Sequence, residues 1–192
     1  ETLTLTYTLT LTDNSGASGS DASASATTTV AVTITGTNDT PFITNAPDTA
    51  ALTETNASIS STGSITVTDV DLTDTINATV DSVAITGGTF NAAQVPLTNA
   101  ELKAMLALSV SSGTTSTIPA NPTAGSDVTW TFTSGPASGG GNKAFDFLAA
   151  GETLVLTYTV KTQDNSPDRS GQAQDNTSST VTVTVTGTND TP

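Results

Sequence analysis

Two Asn-Asp pairs, at 38–39 and 189–190, each sit inside the same seven residues, Thr-Gly-Thr-Asn-Asp-Thr-Pro. A second acidic pattern, Asp-x-Asp, stands at Asp69 and Asp71, and Asp164 opens an Asp-Asn-Ser string that also occurs at Asp13. The chain carries 18 acidic and four basic residues, a formal charge of −14, with no histidine and no cysteine. Imidazole and thiolate chemistry are therefore absent, and the side chains able to do chemistry offer oxygen. Carboxylates grouped with amide and backbone carbonyls suit a hard cation. A carboxylate pair such as Asp69 and Asp71 could also act as acid and base, but no apolar pocket is signalled around it, so an enzyme is not expected. Nucleic acid is not expected as a partner either, since phosphate binding needs a basic face. No run of 18 apolar residues suggests a membrane span. The bulk of the charge has a plainer explanation too, solubility in a crowded or salty medium.

The elements that must hold these oxygens follow from a repeat. Residues 1–41 and 152–192 match at 22 of 41 positions without a gap, at an offset of 151. A fixed period of this kind marks tandem architecture. The expected organisation is a C-terminal hairpin plus linker of one repeat at 1–41, then one complete repeat at 42–192 that ends in the next linker. Leu3, Leu5, Tyr7, Leu9 and Leu11 alternate with threonines, as a strand with one buried face requires. Val30, Val32 and Ile34 form its return, and the same hairpin recurs from Leu154 and from Val181. Between them the pattern predicts an interrupted first strand over 42–54 and a strand at 65–67 running into the acidic loop 68–71. A strand over 76–85 with Asp81 at a bulge, one at 128–132 and one at 145–148 complete the set. Thr98 followed by Glu101 reads as a capping box that starts a helix over 98–108. Threonine supplies 44 of the 192 residues, and β-branched side chains suit strand faces. About seven strands in one repeat, punctuated by turns, predict an all-β, Greek-key sandwich with one short helix, in tandem repeat.

The run Phe145-Asp146-Phe147-Leu148-Ala149-Ala150-Gly151-Glu152, then Thr157-Tyr158-Thr159-Val160 and the closing Val183 to Pro192, resembles the VCBS-type repeat of large bacterial surface adhesins of the RTX type. Ile65 to Asp71 fits the same pattern; residues 85–144 do not. Such repeats are similar in layout to cadherin domains, immunoglobulin-like sandwiches joined by calcium. The resemblance implies a secreted, cell-surface rod that supports attachment or biofilm formation. It also implies adjacent repeats of the same chain as partners. The cadherin linker has acidic or amide side chains where this chain has Gly36 and Thr40, so fewer ions per junction are implied.

Strand direction then says which oxygens can meet. If the first strand runs away from the junction, the second returns, and Asp69 and Asp71 come to lie beside Asn38 and Asp39. The loop with Asp164 lies at that same end. Glu54 and Glu152 fall at the other end, near Asn189 and Asp190, and Glu1, the counterpart of Glu152, reaches 38–39. These ten residues are the candidate ligands for Ca2+. Each has a bland alternative: Asn-Asp before Thr-Pro is good turn chemistry, and loop carboxylates are commonly solvated. Asp74, Asp168 and Asp175 read as surface charges. Two further functions stay open. Trp130 and the Gly-rich stretch 134–142 could bind a glycan or protein with calcium. Identical chains could also assemble into an extracellular fibre, an unpaired hairpin 1–41 adding to a neighbour's sheet edge.

Overall fold

The computed structural model describes residues 1–13, 25–45, 47–71, 74–110, 117–118, 125–135, 145–166 and 176–190. The chain divides into two compact units, Glu1–Thr37 and Asn38–Pro192. The first is a two-stranded hairpin. Strand β1 (Thr2–Thr12) pairs antiparallel with β2 (Ser25–Thr35), from Thr2 opposite Thr35 to Thr12 opposite Ser25. Leu3, Leu5 and Tyr7 stand opposite Ile34, Val32 and Val30. Directly opposed residues point to one face, so the alternation makes one apolar face and one threonine face. Within this chain the apolar face is exposed.

The second unit is an all-β Greek-key sandwich of the immunoglobulin-like kind. Its strands are β3 (Phe42–Ile43), β4 (Asp48–Thr53), β5 (Ser60–Thr68), β6 (Ile76–Gly88), β7 (Leu106–Val110), β8 (Thr117–Ile118), β9 (Ser126–Thr133), β10 (Thr153–Asp164) and β11 (Asn176–Thr186). One sheet has the order β4-β11-β10-β6-β8 and the other β3-β5-β9-β7. Alternating residues of both sheets form the core: Leu154, Leu156, Tyr158 and Val160 from β10, Val181, Val183 and Val185 from β11, and Val128, Trp130 and Phe132 from β9. Most pairs are antiparallel, but β4 runs parallel to β11, Asp48 beside Val181 and Thr53 beside Thr186. That pairing carries the chain from the β3 end to the far end of β11, which puts Glu54 there.

Strand β6 keeps its apolar side inward by a change of phase. Ile76 and Ala78 are buried at even positions, and Val83 is buried at an odd one. Val160 pairs with Val80 and Thr159 with Ser82, so Asp81 is the extra residue of a bulge, as the sequence predicts. One added residue flips the faces of all that follow.

The helix α1 (Asn99–Ala104) has the full capping box: Thr98 accepts from the Glu101 N–H, and the Glu101 carboxylate accepts from the Thr98 N–H. It is shorter than the apolar spacing predicts. The chain leaves it at Met105 because Leu106 pairs with Phe132 and begins β7. The expected strand at 145–148 is a turn instead. Phe145 has φ of 70°, and Leu148 N–H donates to the Phe145 carbonyl. The alternating aromatics have another cause: Phe145 packs on Phe132 at 6.4 Å between ring centres, and Phe147 on Phe90 at 5.1 Å.

Trp130 belongs to this core and does not form a surface. Its Nε1 donates to Asp48 Oδ2 at 2.8 Å, which satisfies the one polar atom of a buried indole. Gly63 makes room, because a Cβ there would overlap both the indole ring and the Asp48 carboxylate. The Gly-rich stretch lies mostly outside the described residues, as do Asp168 and Asp175.

Candidate metal centres

One end of the sandwich is built where the ends of β5 and β10 and the start of β6 meet their loops. Strand β5 ends at Thr68 and delivers Asp69, β10 ends at Asp164, and Asp74 stands just before β6, whose Ile76 pairs with Asp164. All three carboxylates are buried, and each offers an oxygen within 4.8 Å of the others. Asp69 and Asp164 each spend one oxygen on their own loop, and Asp74 spends one on the loop after β10. Asp69 Oδ1 accepts from the Asp71 N–H at 3.0 Å, and Asp164 Oδ1 from the Ser166 N–H at 3.1 Å. Asp74 Oδ1 accepts from the Ser166 hydroxyl. The second oxygens of Asp69 and Asp74 are buried and have no hydrogen-bond partner among the described residues.

The Asn-Asp pair joins this end from the edge. Asn38 Nδ2 donates to Asp164 Oδ2 at 3.0 Å, and the Asp39 N–H to Asp71 Oδ2 at 2.7 Å. Asp71 thus takes the hinge backbone, and the inward carboxylate is Asp74. The reading of Asp74 as a surface charge is corrected: it is 5% exposed. Desolvation by burial, and then the charges of Asp71, Asp74 and Asp164, raise the Asp69 pKa above the ordinary carboxylate value; the Asp71 N–H pulls the other way.

The opposite end gathers Glu54, Asp146 and Asp190 in the same manner, again within 4.8 Å. Glu54 is fully buried. Its Oε1 accepts from both the N–H and the hydroxyl of Thr188, each at 2.6 Å, while its own N–H donates to the Thr186 carbonyl. Glu54 Oε2, Asp146 Oδ1 and Asp190 Oδ1 are buried without a hydrogen-bond partner among the described residues. Burial, then the charges of Asp190 and Glu54, raise the Asp146 pKa. Gly187 lets the chain pass closely enough, since a Cβ there would overlap the carbonyls of Leu148 and Ala149.

Among the described residues of the sandwich, the carboxylates of Asp39, Asp71 and Glu152 are expected ligands that lie outside both clusters. Glu152 accepts from the Ala149 N–H at 2.9 Å and closes its own turn. Asn189 is exposed, its amide donating to the Asp190 carbonyl. Glu1 belongs to the hairpin unit, is exposed, and receives the Gly36 N–H on its backbone carbonyl. Asp74 and Asp146 are the residues that the sequence did not reveal. Each had a signal: Asp74 precedes a strand whose first residue is fully apolar, and Asp146 lies between two core phenylalanines.

The donor sets fit a hard dication. They are all-oxygen, three carboxylates to a cluster, with five buried oxygens that have no hydrogen-bond partner among the described residues. Buried carboxylates without partners are costly. At about 4 Å and an effective dielectric of ~20, each like-charged pair adds roughly 4 kcal/mol of repulsion.

No protein-family model matches the chain, and no curated protein matches it. Among solved structures, the ASH/PapD-like domain 7 of human CEP192 is similar over 80% of this chain and 89% of that one, with TM-score 0.43 and 10% identity. AggA, the major subunit of aggregative adherence fimbriae type I from Escherichia coli, is similar over 78% of this chain and 97% of that one, with TM-score 0.35 and 15% identity. Both likenesses are distant, and the fold stands on the strands and their pairing. No helix among the described residues is long and apolar enough to cross a membrane.

Proposed function

We propose that the chain is a calcium-stiffened extender repeat of a secreted or cell-surface protein, a structural spacer that supports attachment. The observation that carries this reading is the pair of carboxylate clusters, one at each end of the sandwich, with five buried oxygens that lack a partner among the described residues. Successive repeats of an array join at those ends. The Asn38-Asp39 hinge is tied to one of them through Asp164 and Asp71, and its repeat counterpart Asp190 lies in the other. A dication seated in each cluster would convert repulsion among carboxylates into cross-links between loops. If calcium stands about 100-fold above its dissociation constant, each site adds ~2.7 kcal/mol.

Calorimetric titration of calcium into the chelator-treated chain tests this. Two sites are expected, one lost in Asp164→Asn and the other in Glu54→Gln, and the melting temperature should rise with calcium in the parent. Absence of heat and of any thermal shift at millimolar calcium would refute it.

The hairpin Glu1–Thr37 favours a second reading, assembly with identical chains. Among the described residues its apolar face is exposed, and β1 and β2 pair with each other alone. Unpaired strand edges template pairing with another chain.

A further inference from the structure

We infer that β4 and β11 are the load-bearing pair of the second unit, and that a cation in the Glu54 cluster locks them against sliding. This rests on the spacer reading, in which tension runs from one end of the sandwich to the other.

The chain enters and leaves the unit at opposite ends. Asn38 and Asp39 are tied to Asp164 and Asp71 at one end, and Asp190 lies with Glu54 at the other. Strand β4 follows soon after the entry, and β11 directly precedes the exit. The two are neighbours and run parallel, from Asp48 beside Val181 to Thr53 beside Thr186. Tension drawn from Asn38 pulls β4 by its start, and tension drawn from Asp190 pulls β11 by its end. The strands are therefore dragged past each other along their length, and the six residue pairs of the ladder carry the load together. An antiparallel pair would place entry and exit at one end, and the ladder would open one bond at a time. Forced rupture follows the unfolding barrier, so bonds that must break together resist more than the same bonds broken in turn.

Both ends of β4 are pinned. Its first residue, Asp48, accepts from Trp130 Nε1 of the facing sheet at 2.8 Å. Just past its last residue, the Glu54 N–H donates to the Thr186 carbonyl at 2.9 Å and extends the ladder. Glu54 Oε1 takes the N–H and the hydroxyl of Thr188. That leaves Glu54 Oε2, on a fully buried residue, and Asp190 Oδ1 without partners among the described residues. Glu54 follows β4 and Asp190 follows β11, so an ion held by both carboxylates cross-links the loaded strands where tension leaves the unit. In the other cluster Asp69 follows β5, Asp74 precedes β6 and Asp164 ends β10. An ion there bridges neither β4 nor β11.

Optical-tweezers pulling on the full chain tests this. The chain has no cysteine, so handles attach only at cysteines introduced at exposed positions. Thr40→Cys with Asn189→Cys loads the unit from end to end, whereas Ala57→Cys with Asn189→Cys loads the Glu54 end alone and peels β4 from β11. In calcium, the end-loaded chain should rupture at a severalfold higher force than the peeled one. Chelator should lower the end-loaded force. Asp164→Asn should keep that calcium increment, and Glu54→Gln should lose it. If Glu54→Gln fails to fold, Asp190→Asn, which lies outside both strands, should show the same loss.

Equal forces in the two geometries overturn the load-bearing pair. A calcium increment lost in Asp164→Asn, or kept in both Glu54→Gln and Asp190→Asn, overturns the lock. Calcium that raises the melting temperature without changing the end-loaded force overturns the lock and leaves the calcium reading intact. Calcium that changes neither overturns both.

Discussion

At the scale of single residues, the recurring device is a carboxylate that uses one oxygen to tie down a loop, its own or a neighbouring one, and leaves the other buried. Asp69, Asp74 and Glu54 all do this. The arrangement has a cost that depends on pH. The Asp69 pKa is raised in the folded state by burial and by its acidic neighbours. An acid so perturbed holds its proton in the folded chain above the pH at which the unfolded chain releases it. Stability is therefore fully present below the ordinary carboxylate pKa and is lost as pH rises through the folded value. In chelator, the melting temperature should fall as pH climbs from about 4 toward 7. Asp69→Asn should raise the neutral-pH melting temperature of the chelated protein, about 1 kcal/mol corresponding to ~2–4 °C, and should remove much of the calcium response. Thermal melts across pH, with and without calcium, read both effects. A chelated protein that gains stability with rising pH would contradict this account of Asp69.

At the scale of elements, α1 is set mainly by its first turn. Only six residues long, it has few internal hydrogen bonds, and its capping box satisfies N-terminal groups that the helix itself leaves unpaired. Thr98→Ala should cost about 1 kcal/mol in urea unfolding, with an unchanged dependence on denaturant; a neutral result would mean that Leu102 packing alone holds the helix. The same element shows how far the chain could be read without coordinates. The cap is a local signal and was legible. The end was not, because Leu106 and Leu108 continue an apolar spacing that a helix would accept, and only pairing with Phe132 and Trp130 makes them strand. Asp81 was legible as a bulge because the apolar phase breaks around it. Phe145 and Phe147 imitated a strand by alternation alone. The oxygens at 69, 164, 54 and 190 could be placed from strand direction. Asp74 and Asp146 could not, since their burial comes from chain segments that meet only in the folded sandwich.

At the scale of the whole molecule, the sandwich carries two acidic clusters separated by the length of its central strands, on the order of 35 Å. Screening at physiological salt acts over about 8 Å, and no residue belongs to both clusters. The two ends should therefore act as independent calcium sites on one rigid core. In calcium, the stability losses of Asp164→Asn and Glu54→Gln should add in the double variant to within ~0.5 kcal/mol. Calcium removal should take away that same stability without unfolding the core, because Leu154, Val183, Trp130 and their neighbours pack without help from either cluster. The check is a double-mutant cycle by urea unfolding in calcium and in chelator, with Trp130 fluorescence reporting the centre of the core. Strong coupling between the ends, or collapse of the core on chelation, would mean that the ions are part of the fold itself. Additivity with a persistent core would leave them the role expected in a rod: setting the stiffness of each end while the sandwich between them stays unchanged.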